Sequence, residues 1–128
     1  MTDAVAAAVA ELRASHPDAT VTADEDNDGG AYVVVDPVPL SEIYVQDSTW
    51  IGFRITFQYP YADVYPHFVR ADLRRRDGRA LGDGISGGHK FVGRPAVQLS
   101  RRSNHLNPAL DTATLKLAKV LQWLTTHP

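Results

Sequence analysis

Between Trp50 and Phe57 every second residue is large and apolar. Ile51, Phe53, Ile55 and Phe57 are expected on one side, with Gly52, Arg54 and Thr56 on the other, because successive strand side chains alternate faces. Such a strand rests one face on a core and leaves the other free, as in an antiparallel sheet covered on one side. Whatever covers that sheet must carry an apolar stripe. The end of the chain supplies one: Leu117, Val120, Leu121 and Leu124 recur at helical spacing, flanked by Ala113 and Trp123, with Asp111 or Thr112 placed to cap the helix. Each buried leucine contributes roughly 1.5–3 kcal/mol, so this helix is expected to anchor the inner face of the sheet.

The remaining elements follow the same logic. Val5, Ala8, Val9 and Leu12 form a narrow, Ala-rich helical face that starts near Asp3 and stops at His16-Pro17. Thr20 to Asp24 and Ala31 to Val35 read as two strands of a hairpin, joined by an acidic turn ending in Gly29-Gly30. Gln58 to Pro66 is aromatic and proline-rich, hence extended rather than helical. His67 to Leu73 reads as a fourth strand. A charged turn (Arg74 to Arg79) and a glycine-rich loop to Gly88 come next. The order predicts one α+β domain over residues 1–128: an N-terminal helix, a four-stranded antiparallel meander, a long loop and a C-terminal helix.

Composition narrows the chemistry. The chain has 128 residues and no cysteine, which excludes disulfides, thiol catalysis and cysteine zinc sites. No apolar run approaches the ~18 residues a membrane span needs. Met1-Thr2-Asp3-Ala4-Val5 lacks the basic start of a signal peptide, so a cytoplasmic location is expected. Net charge is −2, yet residues 1–65 hold 11 acidic and 2 basic side chains, and residues 66–128 hold 4 acidic and 11 basic. Either the halves neutralise each other once folded, or they form two partner surfaces of opposite sign.

Several motifs stand in a recognisable order. Tyr59-Pro60 and Tyr65-Pro66 follow the strand ending at Phe57; then come His89, Gly93-Arg94-Pro95-Ala96-Val97-Gln98-Leu99, and Asn107-Pro108-Ala109-Leu110 before the last helix. Together they resemble the ubiquitin-conjugating (UBC-like) enzymes, with about two extra residues in the Tyr-Pro segment. The match covers most of the chain. By that resemblance His89 stands for the histidine of the family's His-Pro-Asn tripeptide, and the last helix is the family's crossing helix.

The departures from the family pattern carry the functional expectation. The nucleophile's place falls on Ala96 counted from Gly93, or on Gln98 counted back from Pro108, and neither residue is a nucleophile. Lys90 and Phe91 follow His89, so the oxyanion-stabilising asparagine is missing, a donor often worth ~3 kcal/mol. The family works through a cysteine thioester, which needs a thiolate. The resemblance therefore implies a catalytically inactive pseudoenzyme serving as a binding module or adaptor in a bacterial ubiquitin-like conjugation system. Its partners would be a ubiquitin-like protein, an activating enzyme or a conjugating enzyme. Two alternatives stand beside it: an enzyme using His89 or His105 in the same cleft, or an active conjugating enzyme whose cysteine was replaced at Ala96 or Gln98.

The binding residues expected are Arg101, Arg102 and Asn104 in the loop after the nucleophile's place, with Tyr59, Tyr61 and Tyr65 in the Tyr-Pro segment. Paired arginines bind carboxylates and phosphates bidentately. Ser100 and Ser103 are weak nucleophiles without a positioned base, and the sequence assigns them none. Asp24 to Gly29 matches the first half of a calcium loop, but the twelfth position is Val35, so a solvated acidic turn is expected. His16, His67, His89, His105 and His127 show no paired ligand spacing, and Arg74 to Arg79 has no interleaved aromatic platform. No metal, cofactor, nucleic acid or membrane is expected.

Overall fold

A computed structural model describes residues 1–126. Helix α1 (Asp3–Ser15) leads into strands β1 (Thr20–Glu25), β2 (Ala31–Pro39), β3 (Ser48–Ile55) and β4 (His67–Arg70). Two further strands follow, β5 (Ile85–Phe91) and β6 (Arg94–Leu99), before helix α2 (Ala113–Thr126). The expected α+β layout of helix, antiparallel sheet and helix is present. The expected four-stranded meander with a long loop is corrected to six strands in the order β1-β2-β3-β4-β6-β5, every neighbouring pair antiparallel.

β5 begins inside the stretch read as a glycine-rich loop to Gly88, and β6 lies beyond it, in the Gly93 to Leu99 motif for which no strand was expected. They meet at Val92-Gly93, where φ is +44° and +80°. Two-residue hairpin turns of this kind need positive φ at both central positions and usually announce themselves with Asn-Gly or Asp-Gly. Here a β-branched valine takes the first place, and Gly87-Gly88 interrupts the strand pattern beside a register shift between Ser86 and His89. β6 is an interior strand. It pairs with β4 through His67↔Leu99 to Arg70↔Ala96, and with β5 on its other side.

The strand alternation places Val33, Val35, Ile51, Phe53, Ile55, Val69, Val97 and Leu99 in one core. Val5, Ala8, Val9 and Leu12 of α1 and Ala113, Leu117, Val120 and Leu124 of α2 complete it. Both helices begin on a threonine cap. Thr2 Oγ1 accepts the Val5 N–H at 3.1 Å, and Thr112 Oγ1 accepts that of Leu115 at 3.1 Å, each offsetting an otherwise orphan donor. Phe57, expected on the inner face, lies past the end of β3 and is 51% exposed. Leu73 lies past β4 but stays buried.

The opposite face of the sheet carries a smaller cluster: Val34, Phe91 and Ala96, with Tyr32, Trp50 and Phe68 packed around them. Phe91 folds back from the end of β5 and stacks on Phe68 at 5.2 Å and on Trp50 at 6.3 Å. It lies directly over Gly52, where an added Cβ would meet two of its ring carbons at 2.5 Å. Glycine is required there by this close approach.

Candidate functional site

Ala96 sits on β6 between Arg70 of β4 and His89 of β5, is 1% exposed and belongs to the outer aromatic cluster. Gln98, two residues on, is half-buried and donates from its side-chain amide to Ser100 Oγ at 3.0 Å. Both positions are thus held inside a strand hydrogen-bonded on two sides. His89 Nε2 is 3.1 Å from Ser86 Oγ, and the ring stands edge-on to Phe68 at 6.2 Å. His105 is exposed on the loop after β6, at φ +54°. No hydrogen bond or ring contact joins His89 to His105. His127 lies outside the described residues.

The loop between β6 and α2 is fixed at one point. Asp63, in the extended stretch before β4, accepts the Ser103 N–H at 2.7 Å and the Ser103 hydroxyl at 2.8 Å. The Lys116 ammonium, nearly buried on α2, donates to both Asp63 oxygens at 3.1 and 3.0 Å and to Ser103 Oγ at 2.8 Å. All three ammonium protons are used, and the Ser103 hydroxyl both donates and accepts. Burial works to raise the Asp63 carboxyl, but the two Ser103 hydrogen bonds and Lys116 outweigh it and hold it below the ordinary carboxylate range. A carboxylate so stabilised is a poor proton acceptor, so the trio acts as a fastener for the loop and does not activate the serine.

Against this fastened loop lies a cavity of about 260 Å³, lined among others by Arg101, Arg102, Asn104, Lys116, Lys119 and Trp123. Each of the two arginines lies over an aromatic ring. The Arg101 guanidinium lies 5.0 Å from the Trp123 ring centre, and that of Arg102 lies 4.2 Å from the ring centre of Tyr65. Arg54, Arg70 and Arg75 each pair with a carboxylate, on Asp26, Asp72 and Asp77 respectively. Among the described residues Arg101 and Arg102 have no such partner.

The structure separates the three expected tyrosines by role. The Tyr59 hydroxyl accepts the Ala113 N–H at 3.1 Å and so secures the start of α2. Tyr65 carries Arg102. Tyr61 is 78% exposed on a turn with Phe57, and the two border a shallow hollow with Gln58 and Ala62. That turn, closed by the Tyr61 N–H to the Gln58 carbonyl at 2.8 Å, replaces the extended chain expected over its first half. Proline at 60 and 66 limits helix here, but leaves turns open.

The acidic segment after β1 is a structured turn. Asp26 accepts the N–H groups of Asp28 and Gly30 at 2.8 and 2.9 Å and pairs with Arg54 at 2.8 Å, with its side chain buried. Among the described residues no three His, Asp or Glu side chains gather closely enough to hold a metal ion. No described helix is long and apolar enough to cross a membrane.

Sequence reasoning named the arginine pair but not Asp63 and Lys116, which fix the loop that carries it. Lys116 is a charged side chain flanking an apolar helix stripe, ordinarily a sign of the solvated edge. Its partner lies 53 residues away, beyond the reach of any local pattern. No family model matches the chain, and no curated protein or solved structure shows significant similarity to it.

Proposed function

We propose that this chain is a UBC-like domain without conjugating activity, working as a binding module for a component of a bacterial-type ubiquitin-like system. The observation that carries the reading is the contrast between two neighbouring places. Ala96 and Gln98, where the motif order puts the nucleophile, lie within a doubly hydrogen-bonded strand, and Ala96 is covered by aromatic side chains. Just beyond, Arg101 and Arg102 lie over aromatic rings with their N–H donors unclaimed by carboxylates among the described residues, as a recognition surface needs. A cysteine placed at 96 would be as buried as the alanine, which favours the inactive reading over a substituted enzyme. The exposed Phe57 and Tyr61 add an apolar contact of the type enriched in interfaces.

The test is a cross-linked pull-down of the intact chain from its own cells, followed by affinity measurement with the purified protein recovered. Recovery of a ubiquitin-like protein, its activating enzyme or a conjugating enzyme is expected. Replacing both Arg101 and Arg102 with alanine should weaken that binding by more than about 1 kcal/mol, about fivefold in affinity. Recovery of none of the three, or unchanged affinity in the double variant, counts against the proposal.

A further inference from the structure

The cavity beside α2 has a chemistry of its own, and we infer that it binds the phosphate of a small organic phosphate monoester. This goes beyond the adaptor reading and stands without it. Charge is the first argument. Lys116 is neutralised by Asp63, and Lys119 lies 3.8 Å from Asp111, which leaves the charges of Arg101 and Arg102 uncompensated at the cavity wall. Two unopposed guanidinium groups call for a dianion; a lone carboxylate would answer only one of them.

Geometry is the second argument. A guanidinium held near an aromatic ring and not paired with a carboxylate keeps N–H donors for another partner, and these donors match phosphate oxygens in pairs. The Arg101 and Arg102 guanidinium groups lie over the Trp123 and Tyr65 rings, and no carboxylate among the described residues takes their N–H groups. The backbone beneath them is anchored by the Ser103–Asp63–Lys116 fastener, so little ordering is left for binding to impose. Shape is the third. A volume of about 260 Å³ suits a phosphate with a small attached body, and Val120 with Trp123 offers that body an apolar wall.

An NMR titration of the unaltered chain with phenyl phosphate, benzoate and benzyl alcohol tests the inference. Saturable shifts of the Trp123 indole N–H and the arginine side-chain N–H groups are expected with phenyl phosphate. Its affinity should exceed that of benzoate by about tenfold or more, because benzoate carries one charge. Binding should weaken severalfold at pH 5, where a phosphate monoester with a second pKa of about 6 is largely a monoanion. Arg101→Gln and Arg102→Gln should each weaken binding by at least about fivefold. Lys119→Gln, on a side chain 63% exposed, should weaken it by removing one positive charge from the cavity wall. Equal affinities for phenyl phosphate and benzoate, no saturation by about 10 mM, or insensitivity to all three substitutions would overturn the assignment.

Discussion

At the scale of single residues the sharpest feature is His67, which begins β4 on the inner face. It is fully buried 5.0 Å from the Phe53 ring, and neither ring nitrogen has a hydrogen-bond partner among the described residues. Burial first, and the nearby Lys116 charge second, push its pKa down to about 3, with Asp63 opposing weakly. The folded chain therefore keeps the ring neutral where the unfolded chain, with an ordinary value of 6.5, takes up a proton. Stability from this residue is fully present above pH 6.5 and is lost as pH falls toward 3, at up to about 1.4 kcal/mol per pH unit. His67→Leu, similar in bulk and unable to titrate, should flatten that dependence. Urea unfolding at pH 7 and pH 5 should show the original chain losing stability and the variant losing clearly less; equal losses would contradict the assignment. The depressed Asp63 carboxyl acts only below about its ordinary value of 3.8, so of these two groups His67 alone changes stability between pH 7 and pH 5. Neither role was legible beforehand. His67 reads as one more strand residue, and the bonds of Asp63 to Ser103 and Lys116 span 40 and 53 residues.

At the scale of elements, local pattern carried what depends on local pattern. Both helices were legible because their stripes repeat at 3.6 residues, and β3 because its alternation is unbroken. The β5–β6 hairpin was not, since its turn has valine where asparagine is usual and its first strand holds two adjacent glycines. What secures this hairpin across the sheet is Phe91 over Gly52, a contact between strands that are not neighbours. Gly52→Val should force the ring aside and destabilise by about 1–3 kcal/mol. Phe91→Ala removes a packed ring and costs about 3 kcal/mol by itself. If the close approach is the cause, the double variant in urea unfolding will be clearly more stable than the sum of the single losses predicts. Strict additivity would place the cost of valine elsewhere.

At the scale of the whole molecule, the sheet nearly repeats the order of the chain, so a charge asymmetry along the sequence becomes one across the fold. Asp24, Glu25, Asp28 and Asp36 lie on or beside β1 and β2 at one edge; Lys90, Arg94, Arg101 and Arg102 lie on or beside β5 and β6 at the other. Ion pairing does not cancel this: Arg54–Asp26, Arg70–Asp72, Arg75–Asp77 and Lys119–Asp111 each stay within their own half, while Lys116–Asp63 joins the two. A chain of net charge −2 should then be retained at pH 7 and low salt by a cation exchanger as well as by an anion exchanger, and released from both by salt. Passage straight through the cation exchanger would mean that the basic edge is too dispersed to act. The same arrangement has a consequence for how the molecule divides. The segment between Gly78 and Gly84 is largely exposed, and a Cβ at Gly78 would meet open space. A nick there yields one piece ending after β4 and another bearing β5, β6 and α2, each with an unpaired strand edge and an uncovered apolar face that the other fits. Their opposite charges favour reassociation, so two pieces cut there are expected to complement one another.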